Sequence, residues 1–171
     1  MATLINSTLC YIQKDSSYLM LHRVKKEKDY NKDKWIGIGG KFENTESPED
    51  CVKREVLEET GLTLLDQGLE YRGIVTFVCN DESSPDGFYT EFMHVFWCDK
   101  FSGKLFTSDQ CDEGELEWVP IAQLNDLPHW KGDEIFIDLV NKKEPFFSLK
   151  LVYKDGLLLK SILNGKEIDW K

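Results

Sequence analysis

Residues 40–62 read G-K-F-E-N-T-E-S-P-E-D-C-V-K-R-E-V-L-E-E-T-G-L, and local chemistry makes the centre of that stretch a helix. Ser47 is a good N-cap, because its hydroxyl can accept from the backbone N–H groups that a helix start leaves without partners. Pro48 suits the first helical position, and Glu49 and Asp50 suit the positive end of the helix dipole. Ser47 with Asp50 three residues on is a weak form of the capping box. Gly61 supplies the left-handed stop after Thr60. The segment therefore predicts a helix over 48–60. On a 3.6-residue period Glu55, Glu58 and Glu59 share one arc at i, i+3 and i+4. Val52 and Val56 lie beside that arc and Leu57 across from it, so apolar anchors are expected on more than one side.

As written, the arrangement is unfavourable. Like charges at these spacings cost roughly 0.2–0.5 kcal/mol per pair. Carboxylates near the negative end of the dipole cost roughly another 0.3–1 kcal/mol each. A hard divalent cation reverses both effects, and oxygen-only ligands select Mg²⁺, with Mn²⁺ as a substitute, over Zn²⁺. The competing explanation is an amphipathic helix with a solvated acidic face.

The chain has 171 residues, 41% hydrophobic and 12% aromatic, which is enough for one domain with a substantial core over 1–171. No apolar run is long enough for a membrane span, and the N-terminus lacks a charged region followed by an apolar one. A cytoplasmic location with no membrane partner is expected. The cysteines Cys10, Cys51, Cys79, Cys98 and Cys111 are odd in number and none are spaced C-x-x-C, which reads as reduced thiols, with Cys10, Cys51 and Cys98 buried as small hydrophobes. A net charge of −10 argues against a nucleic-acid surface. It does not argue against a small polyphosphate bridged by metal ions.

Strand-like runs occur at 3–12, 18–23, 34–38, 69–78, 88–98, 115–119 (stopped by Pro120), 146–153 and 157–163. A helical turn is expected at 121–125 and a second helix at 133–142, with Ile135, Phe136, Leu139 and Val140 as its apolar stripe. Gly39-Gly40 would let the backbone approach a ligand closely. Mixed strands with two helices suggest an α/β sandwich.

The spacing G-x5-E-x7-R-E-U-x-E-E-x-G-U, with U a bulky aliphatic, is met by Gly40, Glu46, Arg54, Glu55, Val56, Glu58, Glu59, Gly61 and Leu62. It resembles the Nudix box at every specified position. The order of elements further resembles the MutT-type members that degrade oxidised purine nucleoside triphosphates. The resemblance implies an α/β/α sandwich with a curved mixed sheet between helices. It also implies Mg²⁺ held by Glu55, Glu58, Glu59 and Glu113 with the Gly39 carbonyl. Glu55 is then the candidate base and Glu58 the second choice, while Glu46, Arg54 and Gly61 are structural. Thr8, Arg23, Gly40, Lys41, Trp130 and Asp133 fall where such members contact nucleotide, Trp130 stacking on the purine and Asp133 reading its edge. Read without the resemblance, Trp130 could equally anchor the helix and Asp133 could cap it. Two positions depart from the pattern: Ile36 stands where an Asn is common, and Gly132-Asp133-Glu134 where two aspartates are.

The expected activity is hydrolysis of (oxidised) purine dNTPs such as 8-oxo-dGTP to a nucleoside monophosphate and pyrophosphate, by a monomer or homodimer. The alternatives are another nucleoside diphosphate derivative, such as a nucleotide sugar or dinucleoside polyphosphate, or a non-catalytic nucleotide sensor. His22, His94 and His129 lack ligand spacing, and Phe96 and Trp97 read as packing residues.

Overall fold

The computed structural model describes residues 4–170. The strands are β1 (Leu4–Lys14), β2 (Ser17–His22), β3 (Trp35–Ile36), β4 (Leu62–Leu64), β5 (Leu69–Asn80), β6 (Phe88–Cys98), β7 (Phe101–Gly103), β8 (Glu115–Pro120), β9 (Phe147–Lys154), β10 (Leu157–Leu163) and β11 (Lys166–Ile168). The helices are α1 (Pro48–Thr60) and α2 (Asp133–Asn141), with short 3₁₀ segments at Asp66–Gly68 and Ile121–Asp126. The main sheet runs β11-β10-β9-β5-β6-β1-β2-β3, with β8 also paired to β2, and β4 and β7 form a separate small ladder. It is mixed: β1–β6 and β5–β9 are parallel and the other pairs antiparallel.

Strand alternation divides the core between the two faces. Cys10 and Ile12 of β1, Leu19 and Leu21 of β2 and Phe96 of β6 point to one side, where Val52 and Val56 of α1 meet them. Tyr11, Tyr18, Met20 and Val95 point to the other, where Ile135, Phe136 and Val140 of α2 cover them. The molecule is thus an α/β/α sandwich, and α1 lies against β1 with Val52, Val56 and Glu59 buried and Glu58 exposed.

Helix α1 has the bounds its sequence dictates. Ser47 Oγ accepts from the Asp50 N–H at 3.1 Å while Asp50 Oδ2 accepts from the Ser47 N–H at 3.0 Å, a complete capping box. Gly61 closes the helix at φ 76°, its N–H donating to Leu57 O. Leu57 is no anchor: it is 48% exposed, because Val52 and Val56 already fill the side that meets the sheet. Strand β8 ends at Pro120, one residue beyond the expected 115–119. That proline stands opposite Ser17, where the missing N–H is tolerated at a strand end. The short β4, β7 and β11 have no counterpart in the sequence reading, since three residues carry too little periodicity to register. All five cysteines are buried and free. No helix among the described residues is long and apolar enough to cross a membrane.

Candidate active site

Between β3 and α1 the chain runs back along β1. Cys10 N–H donates to Ile38 O at 2.6 Å and Thr8 N–H to Gly40 O at 2.8 Å, which sets Gly39 against the Thr8 carbonyl. The space a Gly40 Cβ would fill is taken by the Glu55 carboxylate. Neither glycine has a positive φ. Their role is steric: each lets a neighbouring group come closer than a side chain would allow.

Arg54 organises the box. Its Nε and Nη2 grip Glu46 at 2.5 and 2.9 Å, Nη1 reaches Glu55 at 2.9 Å and Glu58 at 3.1 Å, and Nη2 also donates to Lys41 O. The hydrogen bond from Arg54, helped by the Glu43 N–H, holds Glu46 down to about 2. Glu46 therefore stays ionised and ties the loop to the helix. Glu55, Glu58 and Glu59, alike in sequence, have different surroundings. Glu58 is the open one, its side chain 57% exposed against 15% for Glu55. Desolvation raises Glu55, the Arg54 contacts opposing it. Glu59 is buried, and its Oε2 has no hydrogen-bond partner. Burial pushes it to about 8, with the charges of Glu55 and Glu113 adding to the rise and Arg23 and the Gly39 N–H opposing it.

Among the described residues no three His, Cys, Asp or Glu side chains are already gathered about one point. The outer carboxylates are instead turned to basic partners, Glu55 and Glu58 to Arg54 and Glu113 to Arg23 and Lys26. The donor set nevertheless fits a hard divalent cation. It is oxygen only, Glu59 carries an orphaned buried oxygen, and Glu59 feels both Glu55 and Glu113.

Thr8, Arg23, Gly39, Gly40, Lys41, Trp130 and Asp133 all line one cavity of ≈ 390 Å³. None of Glu55, Glu58, Glu59 and Glu113 lines it, but Glu55 lies against Gly40 and Glu113 against Arg23, both lining residues. The Thr8 hydroxyl is within 3.5 Å of the Cys51 thiol. A second cavity of ≈ 260 Å³, at Tyr18, Arg72 and Trp97, has none of these residues in its lining. None of the three histidines lines the main cavity. His94 is satisfied by Tyr71 and Asn6, His22 stacks on Trp35 at 4.4 Å, and His129 pairs with Glu134 at 2.9 Å.

Tyr30, Phe77, Tyr89 and Trp130 give the cavity an aromatic wall. Trp130 donates from Nε1 to Asn31 Oδ1 at 2.8 Å, stacks on Tyr30 with centroids 5.1 Å apart, and meets Phe77 and Tyr153 edge-on. Lys34 Nζ lies 4.3 Å over the same ring. A base reaching the Trp130 face held by Tyr30 has to displace that residue. Tyr30, Asn31, Phe77 and Tyr89 were not singled out in the sequence. The first two sit in the charged loop of residues 24–34, where only a lone aromatic among Lys and Asp hinted at a contact, and the others look like ordinary strand residues.

Asp133 does not cap α2. The N-cap is Gly132, without a side-chain bond, and Asp133 is the first helical residue and buried. Desolvation lifts it to about 7, although His129, the Trp130 N–H and Lys34 favour its charge, and Glu134 adds to the rise. An acid raised in the folded state contributes stability that is complete below the unfolded pKa and lost as pH climbs through the folded one. Between pH 4 and about 7, wild type is therefore expected to lose on the order of 4 kcal/mol relative to Asp133→Asn. Urea denaturation of both proteins across that range measures the difference, and parallel curves would refute it.

A NUDIX domain family profile matches residues 4–140. An uncharacterised Nudix hydrolase of Bacillus subtilis, YvcI, is 31% identical over 136 residues, covering 79% of this chain and 78% of that protein. An oxidized purine nucleoside triphosphate hydrolase of Danio rerio is 31% identical over 123 residues, covering 71% of each. The crystal structure of a MutT protein from Bacillus halodurans superimposes with a TM-score of 0.79 at 27% identity, covering 95% of this chain and 99% of that one.

Proposed function

Because this chain belongs to the NUDIX family and is a Nudix hydrolase, we propose that it cleaves purine nucleoside triphosphates, oxidised ones such as 8-oxo-dGTP included, to a nucleoside monophosphate and pyrophosphate. The observation that carries this reading is the single cavity that runs from the wall backed by Glu55 and Glu113 to Trp130 and Asp133. One end suits a phosphate chain and the other a flat heterocycle with polar edges. The naming of relatives in Danio rerio and Mus musculus as oxidized purine nucleoside triphosphate hydrolases supports the substrate class.

Glu55, Glu58, Glu59 and Glu113, with the Gly39 carbonyl, would hold Mg²⁺. When bound, the cation supplies neutralisation of the phosphate charge and acidification of the attacking water. Arg23 and Lys41 bind phosphate oxygens from the cavity wall. Glu55 takes the proton of the attacking water, and its position against Gly40 keeps the carboxylate at the rim between helix and cavity. Asp133 accepts from the purine edge when ionised and donates to it when protonated, which its placement near neutrality allows.

Glu58→Gln tests the reading. Its carboxylate is exposed and, among the described residues, bound only by Arg54, so unfolding is expected to shift by no more than about 0.5 kcal/mol. Pyrophosphate release should fall about 10²–10³-fold. A panel of normal and oxidised NTPs, nucleotide sugars and dinucleoside polyphosphates assigns the substrate. A wild-type rate in the variant, or no pyrophosphate from any triphosphate, would defeat the proposal.

A further inference from the structure

Glu113 is held at both oxygens. Oε1 accepts from Lys26 Nζ at 2.6 Å, and Oε2 forms an ion pair with Arg23 Nη1 at 2.9 Å. The two cations are not equivalent. Arg23 has a second carboxylate, Asp29, at 2.6 Å from Nε, and both side chains are largely buried, so it stays where it is. Lys26 is half exposed and has no other acidic partner among the described residues. It lines the same cavity as Gly39, Gly40 and Lys41.

We propose that Lys26 is a transferable counter-ion, exchanged from Glu113 to the phosphate chain of the substrate when Glu113 turns to a divalent cation. The proposal rests on the function assigned above. Because Lys26 Nζ stands 2.6 Å from Glu113 Oε1, it would be repelled by a divalent ion held on that carboxylate. The ammonium, on a flexible four-carbon stem, then needs another anion, and the cavity offers the phosphates. The cation gives up nothing from the fold in moving, since an exposed ion pair contributes little. Metal binding thereby adds a phosphate contact, and by linkage phosphate binding frees Glu113 for metal. Lys26 acts as a substrate-binding residue only in the loaded state.

The test uses calorimetric titration of the full chain with Mn²⁺ alone, and with a methylene-bridged, non-hydrolysable purine triphosphate analogue with and without Mn²⁺. Lys28→Met is the background control, because Lys28 lines the cavity but pairs with no carboxylate among the described residues. Lys26→Met is expected to bind Mn²⁺ alone several-fold more tightly than wild type. It should also lose about tenfold of the Mn²⁺-dependent gain in analogue affinity. Lys26→Arg should keep both wild-type behaviours. If Lys26→Met matches Lys28→Met in both titrations, the ion pair with Glu113 is ordinary surface chemistry and the exchange is wrong, while the hydrolase reading stands. If wild type itself takes up neither Mn²⁺ nor analogue, the hydrolase reading falls and the exchange with it.

Discussion

Glu59→Gln is expected to lose about 10²–10³-fold in turnover and, at the same time, to make the metal-free protein harder to unfold. Both effects come from one feature. Glu59 Oε2 is buried without a partner, with Glu55 and Glu113 close enough to repel its charge. A buried polar group left unpaired costs about 1–3 kcal/mol, more when charged. Glutamine keeps the shape and is neutral folded or unfolded, so it avoids the cost of protonating a carboxylate that burial lifts to about 8, and a gain of about 1–3 kcal/mol is expected without metal. The same substitution removes the carboxylate we assign to the cation. Pyrophosphate release and urea denaturation in EDTA read the two effects separately. A variant as active as wild type would remove Glu59 from the site, and a less stable one would show that the carboxylate supports the fold instead of straining it.

The second large effect separates two adjacent glycines. A Cβ on Gly39 would lie 1.9 Å from the Thr8 carbonyl oxygen, backbone against backbone. The hydrogen bonds on either side, Cys10 to Ile38 and Thr8 to Gly40, hold that approach, so relief means breaking them. Gly39→Ala is expected to cost on the order of 3–5 kcal/mol, the sum of overpacking and two lost hydrogen bonds. The three atoms nearest a Cβ on Gly40 would all belong to the Glu55 carboxylate, its carbon at 2.4 Å. That is the end of a flexible side chain, and it can swing away. Gly40→Ala should therefore fold within about 1 kcal/mol of wild type, yet lose about 10²-fold in rate because the proposed base is misplaced. Thermal denaturation alongside kinetics distinguishes them, and equal stability losses in the two variants would contradict this division.

The glycine pair also shows how a sequence displays a close backbone approach without displaying what makes it. Gly39-Gly40 reads as a place where the backbone approaches a ligand, and both residues do line the cavity. The space their missing Cβ atoms leave is taken by β1 and by Glu55, which no local pattern reveals. Trp130 and Asp133 are similar. The sequence marks both as candidates, and both line the cavity, but it does not show that Tyr30 covers one Trp130 face or that burial lifts Asp133 towards neutrality.

Helix α1 needed nothing beyond its own residues. Ser47, Pro48, Asp50 and Gly61 act within a few positions of the groups they satisfy, so the helix limits and the common arc of Glu55, Glu58 and Glu59 follow from local chemistry. What those glutamates become was decided by tertiary contact. The sheet buries Glu59 and leaves Glu58 open, Arg54 bridges to Glu46 across the loop, and folding brings Glu113 to Arg23 and Lys26 and Tyr30 to Trp130. Hydrogen bonds along a helix depend on residues three or four apart, which a sequence displays. Desolvation and ion pairing depend on which distant side chains share a space, and that is defined only once the two faces of the sheet are packed.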